Sequence, residues 1–160
     1  MKSIDAPQIR SAQMIFGALL ASQFLYAGIL RVLVPEEEWT STAFWPASTN
    51  EVVSILLLVA GVIWVIAGTL PTRMREAQLA KLAAQGDVEA RFSAVLTSLI
   101  IRWAMLEAIV LVGFVLAILE KAPNFVWPLL GLAVSSMLAG VPTAARMKTW
   151  AGLDDANAAL

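Results

Sequence analysis

Glu107 is the residue in this sequence best suited to carry chemistry. It lies near the middle of an apolar stretch that runs from about Ser93 to Leu119. An ionised acid at that depth in a bilayer costs at least about 2.5–3.5 kcal/mol, so the carboxyl group is expected to carry a proton or to have a partner. It would then either bind a proton or a cation, or act as a hydrogen-bonding link between helices. The sequence leaves both interpretations open.

Hydroxyl and amide groups in other apolar stretches are the candidate partners of Glu107. In a membrane interior, side chains of this kind form hydrogen bonds between helices. Five of them lie in the first and the last apolar stretches: Ser22, Gln23, Tyr26, Ser135 and Ser136.

Arg102 is not predicted to be the counter-ion of Glu107. Five residues at 100° each place it about 140° around the helix and about 7.5 Å away by helical rise. Its long side chain is expected to reach the headgroup region, where it would contact anionic lipid or a partner.

The last apolar stretch carries small residues at helical spacing: Gly131, Ser135 and Ala139, with Gly140 beside them. Small side chains allow two helices to approach closely in a membrane. The row predicts packing within the bundle or, alternatively, a contact between subunits.

Composition excludes several kinds of chemistry. The chain has no Cys and no His, so thiolate nucleophiles, imidazole-dependent triads and the usual ligands of zinc, iron–sulfur clusters and haem are absent. We therefore predict a non-catalytic protein without a metal or an organic cofactor, whose only expected ligand is H⁺ or Na⁺. A net charge of −1 gives no basic field that would attract nucleic acid.

The elements that position these residues are apolar helices. With 59% hydrophobic residues, the chain has four segments long enough to cross a bilayer core of about 30 Å. We predict one all-α domain over residues 1–160, an integral membrane bundle of four transmembrane helices. The predicted helices cover about 11–34, 52–70, 88–119 and 125–145, with an outer loop at 35–51 and a cytoplasmic connection at 71–92. The second helix is expected to end before Pro71, and the connection is expected to be partly helical, with Asp87 capping the third helix.

Charge sets the predicted orientation. Eight Lys and Arg residues fall in the terminal segments and the central connection, against two, Arg31 and Lys121, on the other side. By the positive-inside rule both termini are cytoplasmic. The predicted location is the bilayer of a bacterial inner membrane, with a multi-pass topology.

Around Glu107 the sequence reads IRWAMLEAIVLVGFVLA, residues 101–117. This stretch resembles the carboxylate-bearing helix of the proteolipid, or subunit c, of rotary ATPases. Ala104 precedes the acid by three positions, Ala108 follows it directly, and Gly113 comes six positions later. The resemblance implies that Glu107 carries a transported proton or Na⁺. It is confined to this stretch, and the sequence identifies no family for the whole chain.

Two hypotheses for function follow. In the first, the chain is a subunit of a membrane complex, either a homo-oligomer or an assembly with other membrane subunits, and Glu107 binds or relays a proton or cation. In the second, it is a structural or accessory membrane subunit in which Glu107 only fixes helix packing.

Overall fold

The computed structural model describes residues 6–34, 51–83, 87–119 and 126–152. Within these ranges every regular element is a helix, which confirms the predicted all-α class. The predicted outer loop at 35–51 lies outside the described residues except for Glu51. In chain order the helices are α1 Ala6–Leu33, α2 Glu51–Ala83, α3 Val88–Leu119, α4 Val126–Leu138 and α5 Ala144–Trp150.

Three of these helices are long and apolar enough to cross a membrane: Gln8–Leu33 in α1, Val53–Leu82 in α2, and all of α3. They support the prediction of a membrane protein. α4 is also apolar but has 13 residues, which is about 20 Å of helix at 1.5 Å per residue. Its length alone therefore does not establish the predicted fourth crossing.

The predicted fourth helix, 125–145, is interrupted in the structure. α4 ends at Leu138, and Pro142, which has no backbone N–H to continue a helical ladder, follows within the next turn. Thr143 then caps α5 because its hydroxyl oxygen accepts a hydrogen bond from the backbone N–H of Arg146 at 3.3 Å. One predicted helix is thus two helices joined by a proline-containing turn.

The predicted end of the second helix before Pro71 is wrong. α2 continues through this proline to Ala83. A proline inside a helix removes one hydrogen bond and crowds the preceding turn. The residues that follow it are mostly strong helix formers, and Leu79 packs against the main core. Tertiary packing and local propensity together outweigh the local cost of Pro71.

α3 begins at Val88 and is capped by Asp87. The Oδ1 atom of Asp87 accepts hydrogen bonds from the backbone N–H groups of Glu89 and Ala90 at 3.0 and 3.1 Å. This is the arrangement expected for an N-cap residue. α3 can therefore begin five residues, about one and a half turns, before the apolar stretch.

α3 is the central helix and contacts the other four. It runs parallel to α1, because the two aromatic pairs between them advance in the same direction along both helices. The rings of Phe16 and Trp103 have centroids 5.2 Å apart, and those of Tyr26 and Phe114 are 5.8 Å apart. This register brings the middle of α1 beside Glu107.

α2 and α4 run antiparallel to α3. Val53, near the start of α2, is buried with Leu116, near the end of α3. Val126, at the start of α4, is buried with Ala117. The start of α1, the end of α2, the start of α3 and α5 therefore share one end of the molecule, which we call the basic end.

Gly113 is a point of close approach between α3 and α4. A Cβ atom added there would lie 3.0 Å from Leu129 Cδ1 and 3.4 Å from the Cα atom of Val126. To admit a methyl group there, the side chain of Leu129 or the backbone of α4 would have to move by a few tenths of an ångström. Gly61 on α2 is the opposite case, since an added Cβ would meet nothing within 4 Å.

We expect Gly113→Ala to lower the free energy of unfolding by about 1–3 kcal/mol, the usual cost of overpacking a core. Gly61→Ala is the matched control, and it should be neutral or slightly stabilising because alanine favours helix. Far-UV circular dichroism during denaturation in mixed micelles measures both. Equal stability of the two variants would contradict the close approach at Gly113.

Candidate functional site

Glu107 is held between α1 and α3 by two hydroxyl groups. Ser22 Oγ donates a hydrogen bond to Glu107 Oε1 at 2.7 Å, and Tyr26 Oη donates to the same oxygen at 3.0 Å. The two donors are four residues apart on α1 and so lie on one face of that helix. Parallel packing of α1 on α3 turns this face toward Glu107.

The hydroxyl group of Ser22 also makes a third contact. Its Oγ lies 2.8 Å from the carbonyl oxygen of Leu19, one turn earlier in α1. Serine has a single O–H donor but two acceptor lone pairs. Ser22 therefore faces two acceptors, Leu19 O and Glu107 Oε1, with one hydrogen atom.

This arrangement contains three hydrogen-bonding contacts. Ser22 and Tyr26 together supply two hydrogen atoms, which is one too few when Glu107 is ionised. A proton on Oε1 completes the set, because Glu107 can then donate to Ser22 while Ser22 donates to Leu19 and Tyr26 donates to Glu107.

The second carboxylate oxygen of Glu107, Oε2, takes no part in the contact with α1. Among the described residues none donates a hydrogen bond to Oε2, and the side chain is only partly buried. Leu111 and Ala104 are about 40° and 60° away around α3 by helical geometry, and both are exposed. Glu107 thus lies at the border between the α1 contact and the outward apolar face of α3.

Gln23, a predicted partner of Glu107, faces α4 instead. It is fully buried, and its Nε2 donates to the sulfur of Met137 at 2.6 Å. Its Oε1 has no hydrogen-bond partner within the described part of the chain. One residue of helical rotation from Ser22, about 100°, accounts for the different neighbour.

Ser135 and Ser136, the other two predicted partners, do not reach Glu107 either. The hydroxyl of Ser135 donates to the carbonyl oxygen of Leu132 in its own helix at 3.1 Å. Ser136 Oγ accepts a hydrogen bond from Trp64 Nε1 of α2 at 3.4 Å. Both serines are on α4, which packs against a different face of α3 from α1.

Arg102 faces α4, as its angular distance from Glu107 requires. Its Nη2 is 3.5 Å from the carbonyl oxygen of Ser136, and its Nη1 would be 3.7 Å from a Cβ added at Gly140. This places the guanidinium at the C-terminal end of α4, where cations are favoured by the helix dipole. Arg102 and Glu107 form no ion pair in the described structure.

Three members of the small-residue row do not pack within the bundle. Gly131, Ser135 and Ala139 are exposed, and a Cβ added at Gly131 would meet nothing within 4 Å. Only Gly140 is buried. α4 instead turns inward a row with spacings of four, three and four residues: Val126, Leu130, Ala133 and Met137. The alternative interpretation, a contact between subunits, stays a prediction.

Two important packing residues were not assigned to the core from sequence. Trp103 is fully buried beside Phe16, and Gly113 allows α4 to approach α3. Their apolar surroundings resemble those of lipid-facing residues, so hydropathy does not identify them. The described residues contain no group of three or more acidic side chains arranged to hold a metal ion.

No protein-family model matches the chain, and no curated protein or solved structure is similar to it. The class of the protein follows from its fold and site. It is a helical protein with three helices of membrane-spanning length, and two of them hold a carboxyl group between them by hydrogen bonds.

Proposed function

We propose that this chain is a proton-handling subunit of a membrane complex, in which Glu107 takes up and releases the proton. The observation that carries the proposal is the hydrogen count at Ser22. Three short contacts around Ser22 and Glu107 are all satisfied only when the carboxyl group is protonated. A neutral carboxyl group also avoids the cost of an ionised acid in hydrocarbon.

Release of the proton requires help from outside the chain. The ionised carboxylate would have two O–H donors, both at Oε1, and no described residue bonds to its Oε2. A water path or a cationic group on another subunit would stabilise the ionised form at that oxygen. When both O–H groups donate to the ionised carboxylate, the contact left without a hydrogen atom is the one between Ser22 and Leu19, inside α1.

The membrane arrangement that we propose has four crossings with both termini in the cytoplasm. Of the nine Lys and Arg residues in the described ranges, all except Arg31 lie toward the basic end. The positive-inside rule assigns that end to the cytoplasm, and a bacterial inner membrane suits this arrangement.

The contacts of α4 support its role as the fourth crossing. α4 begins at the level of Ala117 on α3. Gly140, just after α4, lies beside Trp103, fourteen residues earlier on α3, which is about 21 Å by helical rise. The carbonyl oxygen of Pro142 then meets Gln13 near the start of α1 at 3.4 Å. This segment extends through most of the thickness covered by α1 and α3.

The alternative function is that of a structural or accessory subunit. It is favoured by the fact that both hydrogen bonds of Glu107 join α1 to α3, which is how polar residues hold membrane helices together. The two functions differ in one property, namely whether the proton on Glu107 exchanges under working conditions.

Infrared difference spectroscopy of the protein in lipid vesicles distinguishes the proton-handling function from the structural one. At neutral pH we expect the C=O stretching band of a protonated carboxyl group in the wild type and its loss in Glu107→Gln. Ser22→Ala should shift the band to higher frequency, because the carboxyl group loses a hydrogen bond. Ser135→Ala is the control, since that hydroxyl bonds only to its own helix.

Two results would count against the proposal. A carboxylate band at neutral pH, with no C=O band assigned to Glu107, would show that the group is ionised. A C=O band that stays constant from acidic to strongly alkaline pH would leave Glu107 with the structural role alone.

A further inference from the structure

Arginine side chains from three helices gather around the C-terminal end of α4. Arg102 of α3 points its Nη2 at the carbonyl oxygen of Ser136 from 3.5 Å. Arg146 of α5 donates from Nη1 to the carbonyl oxygen of Ala139 at 3.0 Å. These two carbonyl groups are three residues apart and so lie on neighbouring positions of one helical face. Both guanidinium groups therefore contact carbonyl groups at the C-terminal end of α4.

Arg75 of α2 adds a third positive charge at this place. It is close enough to Arg102 for the two like charges to interact. Its guanidinium carbon also lies 5.8 Å from the centre of the Trp150 ring. A tryptophan ring is typical of the headgroup level of a membrane, so the cluster is at the depth of lipid phosphates.

The described residues leave this cluster with excess positive charge. The C-terminus of a helix contributes about half a negative charge, against three arginines. Glu76 is exposed beside Arg75. Asp87 and Glu89 are at the start of α3, about 20 Å from Arg102 by helical rise. Each guanidinium has five N–H donors, and those not bound to carbonyl groups remain available for an anion.

Apolar surface lies on the membrane side of the three arginines. Leu138 is 50% exposed, and Trp64, which meets Ser136, is 43% exposed. An anion held by the arginines would thus have hydrocarbon beside it. An acyl chain can occupy that surface, whereas a free ion from water cannot use it.

We infer that Arg75, Arg102 and Arg146 form a binding site for the phosphate group of an anionic phospholipid in the leaflet at the basic end. Guanidinium groups suit a phosphate because their planar fork makes paired hydrogen bonds with it. The lipid would add a polar link between α2, α3 and α5, which otherwise pack together through the apolar core. The site is separate from Glu107 and does not depend on its protonation.

The test measures phospholipid retained by the purified protein, using native mass spectrometry after exchange into nanodiscs. One set of nanodiscs contains phosphatidylcholine alone and the other contains phosphatidylcholine with phosphatidylglycerol. We expect selective retention of phosphatidylglycerol by the wild type, and retention about tenfold weaker in Arg75→Gln and in Arg102→Gln, in line with the loss of a charge-assisted hydrogen bond to the phosphate.

Arg73→Gln is the matched control, because it removes the same charge from the same end of α2 at an exposed position. It should retain phosphatidylglycerol as the wild type does. Arg102→Lys keeps the charge and the fold but lacks the planar fork, and it should show intermediate retention. Circular dichroism of each variant verifies that the helices are formed.

If Arg73→Gln and Arg75→Gln lose phosphatidylglycerol retention equally, the proposal is wrong, because general surface charge would then account for the effect. Inorganic phosphate is added to the phosphatidylcholine nanodiscs as a further arm. In this arm the melting temperature of the protein is followed by circular dichroism. If phosphate alone raises it as much as phosphatidylglycerol does, the site binds free phosphate and the lipid assignment is wrong.

Discussion

Glu107→Gln is expected to abolish labelling of α3 by a hydrophobic carbodiimide while the protein stays folded. Carbodiimides react with a protonated carboxyl group in apolar surroundings, and an amide offers no such group. The amide group of glutamine can both donate and accept hydrogen bonds, so the contact of α3 with Ser22 and Tyr26 of α1 survives. Mass spectrometry of the labelled peptide, with size-exclusion chromatography of the same sample, measures both outcomes.

Wild-type labelling should be concentrated at Glu107 and should decrease as the pH rises, since the reactive form is the protonated one. Glu89→Gln is the control. Glu89 is exposed at the start of α3, in the region expected to face water, so its replacement should leave the labelling unchanged. Labelling that avoids Glu107 but modifies other acids in a correctly assembled sample would exclude a protonated carboxyl group at this position.

Trp103→Ala is expected to have the largest effect on stability, a loss of about 3 kcal/mol. Trp103 is completely buried, and its ring meets Phe16 edge to face at an interplanar angle of 65°. Replacing a buried Trp by Ala in a soluble core costs about 3–5 kcal/mol. We expect the lower end of this range, because the unfolded reference in a membrane still has lipid around the indole ring.

Two other tryptophan variants make this prediction specific. Trp64→Ala should cost less than about 1 kcal/mol, since an exposed side chain leaves no internal cavity. Trp103→Phe should lie between them, because Trp103 Nε1 has no partner among the described residues and its removal leaves no polar group unsatisfied. Unfolding in mixed micelles, followed by circular dichroism, gives all three values. Similar losses in Trp103→Ala and Trp64→Ala would contradict the assignment of Trp103 to the core.

The sequence by itself predicted a membrane protein and singled out α3 among its helices. Long apolar stretches predict a membrane protein, and three of them appear as helices of spanning length. Glu107 is the only acid within such a stretch, so α3 is the helix in which a functional polar group is expected. Helical rotation alone separates Arg102 from Glu107, and in the structure they face different helices.

Only the tertiary structure decided which polar side chains contact Glu107. Ser22 and Tyr26 reach Glu107, whereas Gln23 and the two serines of α4 do not. It also decided that α2 passes through Pro71, because the residues beyond it pack on the core. These outcomes depend on the register of α1 on α3 and on contacts between distant parts of the chain.

The sequence could not predict these contacts because the helices are surrounded by lipid rather than by water. In water, an apolar stripe identifies the inward face of a helix. In a bilayer, lipid is as apolar as a neighbouring helix, so hydropathy does not separate the two faces. Gly131 on the outside and Gly113 on the inside are therefore alike in sequence, and only the packing of α4 on α3 distinguishes them.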